Sequence, residues 1–186
     1  MTRIALLATA AFAFSLAGCQ QAEDASSTAA SDVGTEPRLL GSAILLLSDG
    51  ALAGSAELLG SESKASMNFV LKGLPEGVHA VHLHSTGNCL APDFTSAGGH
   101  LNPEGKEHGT ENPNGSHLGD LPNVEIGPDG TGRLEATLSG SLEDALDAIF
   151  DEDGSAIVVH AGADDNMTDP SGNAGSRIAC GVLGRS

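Results

Sequence analysis

The sequence predicts an all-β domain, an antiparallel barrel or sandwich of roughly eight strands carrying two long loops. Three observations predict it. Short apolar runs alternate with turn-forming clusters from residue 39 onward, glycine accounts for 25 of the 186 residues, and the chain has neither Trp nor Tyr. "GSAILLL" is the first strand, "SDG" turns the chain, "ALAGSAELL" returns, and "ASMNFVLKGL" is a third strand closed by Pro75. "GVHAVHLHSTGNC", residues 77–89, opens on a strand with three histidines in six positions. Residues 85–123 are dense in Gly, Pro, Asn and Asp, and a loop of that length tends to be functional. "NVEI" and "RLEATL" are strands around the turn "GPDGTG". "SLEDALDAIF" has apolar residues at helical spacing behind Ser141, a good N-cap, so a short helix is predicted there. "SAIVVHA" is a buried strand, residues 161–176 form the second loop, and "RIACGVL" is the last strand.

The charge balance is 25 Asp plus Glu against 8 Lys plus Arg, a net −17. Such a surface repels phosphate backbones, which argues against a nucleic-acid partner. The N-terminal "MTRIALLATAAFAFSLAGC" has Arg3 followed by an uncharged run from Ile4 to Leu16, of signal-peptide length and too short to span a bilayer. Residues 1–18 therefore read as an export signal. "LAGC", Leu16 to Cys19, resembles the bacterial lipobox, which implies cleavage before Cys19 and lipidation of that cysteine. Acyl chains add about 0.8 kcal/mol of membrane affinity per buried methylene, so a lipidated Cys19 would anchor the protein to a membrane from outside the cytoplasm. Residues 19–38, rich in Ala, Ser, Thr and acid, read as a flexible tether, and residues 39–186 as the folded domain. Loss of the signal removes Arg3 and leaves 7 basic against 25 acidic side chains, a formal −18. Cys89 and Cys180 remain, in an export context that permits their one intramolecular pairing; two free thiols are the alternative. Closing that loop would restrict the unfolded chain by about 4 to 5 kcal/mol in the entropy model.

All seven histidines lie between residues 79 and 160. In a strand, His82 and His84 share one face, Val81 and Leu83 the other, and His79 sits with the apolar side. A pair of this kind is either a solvated polar face or a pair of ligands. In the long loop, His100, His108 and His117 stand eight and nine residues apart, with Asp120 three further on. Three imidazoles and a carboxylate make a complete tetrahedral zinc set, and a closed set is structural rather than catalytic. His82, His84 and His160 add imidazole donors suited to copper, zinc, iron or nickel, with affinity favouring copper. Spacing leaves that second set one ligand short.

"GVHAVHLH", "SAGGHLNP", "HLGDLPNV", "IVVHAGADD" and "GNAGSRIACGV", in this order from about residue 41 to 183, resemble the successive signatures of the copper/zinc superoxide dismutase family. The resemblance implies an eight-stranded antiparallel Greek-key β-barrel with two long functional loops. It implies copper on His82, His84, His100 and His160, and zinc on His100, His108, His117 and Asp120, with His100 bridging the ions and donating a proton. Asp164 matches a carboxylate that bonds one histidine of each set, here His82 and His108. Arg177 matches the arginine that attracts the superoxide anion, Cys89 and Cys180 match an internal disulfide, and His79 matches a histidine with a structural hydrogen bond. One copper and one zinc per subunit are thus expected, in a lipid-anchored protein on the periplasmic or cell-surface side of a bacterial membrane.

The chain departs from the commonest pattern in three places. Ten residues separate Cys89 from His100, more than in many eukaryotic members, so a homodimer remains open and its mode is not carried over. Residues 161–176 contain no Lys to steer substrate, and Ser171 replaces a common Thr at the site mouth. The rival expectation is a non-enzymatic periplasmic copper/zinc-binding module, or a structural lipoprotein whose metals only stabilise the barrel.

Overall fold

The computed structural model describes residues 36–186; the expected signal, Cys19 and most of the expected tether lie outside them. Ten strands run in the order β1 (Arg38–Leu47), β2 (Leu52–Ser61), β3 (Lys64–Leu71), β4 (Gly77–His79), β5 (Val81–His84), β6 (Val124–Ile126), β7 (Gly132–Thr137), β8 (Ala156–His160), β9 (Arg177–Val182) and β10 (Gly184–Arg185). A helix, α1 (Leu142–Ile149), and a 3₁₀ turn at Thr95–Ala97 are the other elements among the described residues. β1 takes in Arg38, at the end of the expected tether.

Ten segments reduce to eight strands, because β4 and β5 are one strand broken at Ala80, and β9 and β10 one strand broken at Leu183. The break at Ala80 has a clear cause: its N–H bonds Gly162 O at 2.8 Å, and its carbonyl accepts the N–H of His160 at 2.9 Å. The main sheet runs β5-β8-β9-β1-β2-β3-β7, with β10 also on β1, and β4 pairs β6 in a second sheet. Every pairing is antiparallel. β3 beside β7, β5 beside β8 and β9 beside β1 are the non-sequential neighbours of a Greek key.

Alternation builds the core. Leu45, Leu58, Met67, Phe69, Leu83 and Ile157 are at most 1% exposed and face one interior. α1 starts where the sequence places it, with Ser141 Oγ accepting the Asp144 N–H at 3.1 Å. The outer face of β8 is buried as well: Ala156 and Val158, with Cys180 of β9, pack with Phe94 and Ala97 of the loop after β5. Cys89 and Cys180 form a disulfide spanning 91 positions, which ties that loop to β9.

Candidate metal centre

β5 is the edge strand of the main sheet, and the long loop covers it. Leu83 donates to Gly119 O at 3.0 Å and accepts from Leu101 N–H at 2.8 Å. Single bridges join His82 to Asp120 and His84 to His100. An exposed edge is thereby capped, and the same bonds carry His100 and Asp120 to the strand histidines. Gly119 is required, because any Cβ there would overlap Leu83 O.

Val81 and Leu83 point into the core, while His82 and His84 face outward opposite Val158 and Ala156 of β8. The alternation read in the sequence holds, yet both faces are buried. His160, at the end of β8, joins them beside a register shift. One ring nitrogen of each has a partner. His84 Nδ1 bonds Gly98 O at 3.0 Å, His160 Nδ1 bonds Gly175 O at 3.2 Å, and His82 Nε2 bonds Asp164 Oδ2 at 2.8 Å. His82 Nδ1, His84 Nε2, His160 Nε2 and His100 Nε2 are buried without a partner among the described residues. Buried polar atoms are ordinarily satisfied, so four such lone pairs meeting in one place fit a metal ion. Ligand atoms of these four histidines lie within 4.8 Å of one another.

The second set is tighter. Asp120 Oδ1 lies 2.9 Å from His100 Nδ1, 3.0 Å from His108 Nδ1 and 3.1 Å from His117 Nδ1. Ligands at zinc distances on a tetrahedron stand about 3.3 Å apart, so little closing or opening is needed. His108 Nε2 bonds Asp164 Oδ1 at 2.9 Å, and His117 Nε2 bonds Lys106 O at 3.1 Å. A neutral imidazole has one N–H and cannot serve both of its neighbours; a cation among the three Nδ1 atoms and Oδ1 resolves the conflict. Asp120 Oδ2 is already held, by the N–H groups of Gly109 at 2.9 Å and His117 at 3.0 Å.

Electrostatics favour neutral imidazoles ready for metal. Burial lowers His84 to a pKa of about 2, His160 to about 3 and His100 to about 4, with the neighbouring histidines adding to the effect. Burial alone would raise Asp164 and Asp120, but hydrogen bonds outweigh it and hold both well below the usual carboxylate range. For Asp164 they come from His82, His108 and the Asn166 N–H; for Asp120 chiefly from His100 and the Gly109 N–H.

A cavity of about 490 Å³ opens onto the centre, lined among others by His84, His100, His160, Lys106 and Arg177. The sequence-predicted residues therefore converge: six histidines, Asp120, Asp164 and Arg177 surround one site. His79 stays apart, its two ring nitrogens on His160 O at 2.8 Å and Pro75 O at 2.9 Å, which leaves neither for a metal.

Several contributors escaped sequence reasoning. Asn123 grips the Asp164 backbone in both directions, accepting its N–H at 2.8 Å and donating to its carbonyl at 2.9 Å. Asp169 accepts the His108 N–H at 2.7 Å, which joins the two long loops. Gly172, at φ 62°, lies against Asp164 so closely that a Cβ would overlap the carboxylate. Lys106 brings a cation to the cavity from the first loop, whereas the second holds no lysine. Asn123 and Gly172 had a signal, their places inside "HLGDLPNV" and "GNAGSRIACGV".

With this geometry in hand, the likeness to known proteins is specific. Residues 52–183 match the copper/zinc superoxide dismutase (SODC) family. The chain is 43% identical over 145 residues to superoxide dismutase [Cu-Zn] 2 of Aquifex aeolicus, covering 75% of this chain and 83% of that one. It is 40% identical over 147 residues to superoxide dismutase [Cu-Zn] of Caulobacter vibrioides, covering 76% and 83%. A crystal structure of a SOD-like protein from Bacillus subtilis superposes with a TM-score of 0.71 at 40% identity, covering 77% of this chain and 99% of that one. The chain belongs to the copper/zinc superoxide dismutase family.

Proposed function

We propose that this protein converts two superoxide anions and two protons to oxygen and hydrogen peroxide. His82, His84, His100 and His160 would hold copper, which would supply the one-electron exchange in both directions. His100, His108, His117 and Asp120 would hold zinc, which has no redox chemistry and would keep the loop in place. The observation that carries this reading is the set of four unpartnered buried imidazole nitrogens beside a cavity with an arginine on its wall.

His100 would serve both sets. Its Nδ1 faces Asp120 and the zinc set, while its Nε2 has no partner and belongs with the other three free nitrogens. With Nε2 free of metal, a ring so placed could hold a proton there and give it up to peroxide in the cavity. Asp164 fixes the rings of His82 and His108 from behind, setting the tautomers that leave both Nδ1 atoms bare. Arg177 draws the anion inward, and Lys106 supplies a second positive charge at the mouth. The net charge of −17 does not oppose this, since charges beyond about 8 to 10 Å are largely screened at physiological salt.

We further propose that residues 1–18 are removed, that Cys19 carries lipid, and that residues 19–38 tether the domain outside the cytoplasm. The Cys89–Cys180 disulfide supports an oxidising compartment. Replacing Cys19 by Ser should move the protein from the membrane to the soluble fraction. For the activity, superoxide decay is followed by absorbance with the domain loaded with copper plus zinc or with zinc alone. Fast decay only with copper, abolished in His84→Ala, is the expected result; equal slow decay in both leaves a metal-binding protein without turnover.

A further inference from the structure

The stretch between Cys89 and His100 is longer than the family's commonest pattern, and the structure gives it a definite shape. Phe94 N–H bonds Leu90 O at 3.1 Å, Leu90 N–H bonds Ser96 Oγ at 2.8 Å, and Ser96 Oγ donates to Asn88 O at 3.0 Å. Phe94 sits in the left-handed region at φ 53°, where a bulky side chain is rarely found. Its ring is 2% exposed, packed with Ala97, Ala156, Val158 and Cys180. Burial of the ring therefore holds a backbone conformation that the residue would otherwise avoid.

That conformation aims two carbonyls at one guanidinium. Arg177 donates from one terminal nitrogen to Phe94 O at 2.7 Å and from the other to Gly98 O at 2.6 Å. Gly98 O also accepts from His84 Nδ1, so one carbonyl orients both a ligand ring and the arginine. A guanidinium has five N–H donors; two engaged on carbonyls stop its rotation and leave three for an anion.

We infer that Phe94 is a positioning residue for Arg177: its buried ring locks the turn whose Phe94 and Gly98 carbonyls hold the guanidinium at the cavity wall in the pose that receives an anion. The inference rests on the dismutase reading for its purpose, but its geometry can be tested without turnover. Phe94→Ala and the milder Phe94→Leu are compared with wild type, alongside Leu58→Ala, which damages the barrel core away from the arginine.

Two readouts are taken. The first is the rate at which phenylglyoxal modifies Arg177, followed by peptide mass in the metal-free, disulfide-intact protein. The second is the affinity of azide for the copper- and zinc-loaded protein, read from its absorption. Phe94→Ala should speed modification and weaken azide by about tenfold each, the effect of one charge-assisted hydrogen bond. Phe94→Leu should recover part of both, and Leu58→Ala should change neither. If Phe94→Ala fails to fold, the Phe94→Leu shift decides alone.

Unchanged Arg177 reactivity in a folded Phe94 variant, or an equal shift in Leu58→Ala, overturns the inference. Faster Arg177 modification in Phe94→Ala, together with no copper-dependent superoxide decay by the wild type, would instead sink the dismutase reading and leave the positioning intact.

Discussion

Three of the four free nitrogens that face the proposed copper position come from sheet strands, whereas all four ligands of the proposed zinc set come from one loop. His82, His84 and His160 sit on β5 and β8, which pair along four residues and are buried on both faces. Their geometry is set by ladder hydrogen bonds and core packing that exist with or without an ion. His100, His108, His117 and Asp120 span residues 100–120, where regular structure is limited to single bridges. Their convergence puts three imidazole nitrogens around one carboxylate oxygen, an arrangement that a cation satisfies and that its absence leaves frustrated. A preformed site tolerates exchange and redox change of its ion; a site assembled by its ion converts binding energy into loop order.

The largest effect should come from breaking the strand side. His84→Ala should lower superoxide turnover by more than the 10- to 100-fold typical of residues that only orient ligands, while amide exchange in the zinc loop stays near wild type. On the loop side, Asp120→Ala should raise amide exchange across residues 101–119 and lower zinc content, with the β1–β3 ladder still protected. Equal loosening of both regions by either substitution would erase the distinction.

Next in size is the disulfide, which joins the two regions by tying the loop to β9. Cys89→Ser with Cys180→Ser should cost about 2 to 5 kcal/mol in urea unfolding of the loaded domain.

A pH series on the metal-free domain sharpens the electrostatic side. His84, His160 and His100 titrate at about 2, 3 and 4 when folded, below the ordinary 6.5. Above pH 6.5 they are neutral in both states and cost nothing. As pH falls below 6.5, the unfolded chain takes up protons that the folded one refuses, so stability declines toward pH 4. At pH 5 the loss is at most about 2 kcal/mol per histidine, measurable as a fall in the urea midpoint between pH 8 and pH 5. A midpoint that rises instead would contradict the burial of these rings.

The smallest effect belongs to Lys106, which pairs with Glu104 at 2.7 Å and is partly exposed. Lys106→Glu should slow turnover about twofold at low salt and less at high salt, as expected for a charge that steers rather than reacts. No salt dependence would remove it from the anion path.

Much of this was legible in the chain. The alternation of "VHLH" and the short apolar runs "GSAILLL" and "SAIVVHA" report strands because both are local properties of extended backbone. Ser141 marks the start of α1 for the same reason, a side chain capping the turn beside it. The ligand residues were legible as types and spacings. Their grouping was not, since spacing left the copper set one histidine short and only the resemblance added His100. Asn123, Asp169 and Gly172 carried no readable function, because each acts on a residue 41 or more positions away or on a backbone approach that has no sequence signature. Lys106 was missed because its chain neighbours do not reveal that it borders the cavity.

By itself, then, the sequence determined the strands, the cap, the acidic charge and the inventory of seven histidines and two domain cysteines, all properties of residues and their near neighbours. The tertiary structure alone decided which nitrogens were left bare, through the carbonyls of Gly98 and Gly175 and the carboxylate of Asp164, and where Phe94 O meets Arg177. Those outcomes depend on hydrogen bonds between segments that only folding brings within 3 Å or so, and a hydrogen bond's direction cannot be read from composition or period.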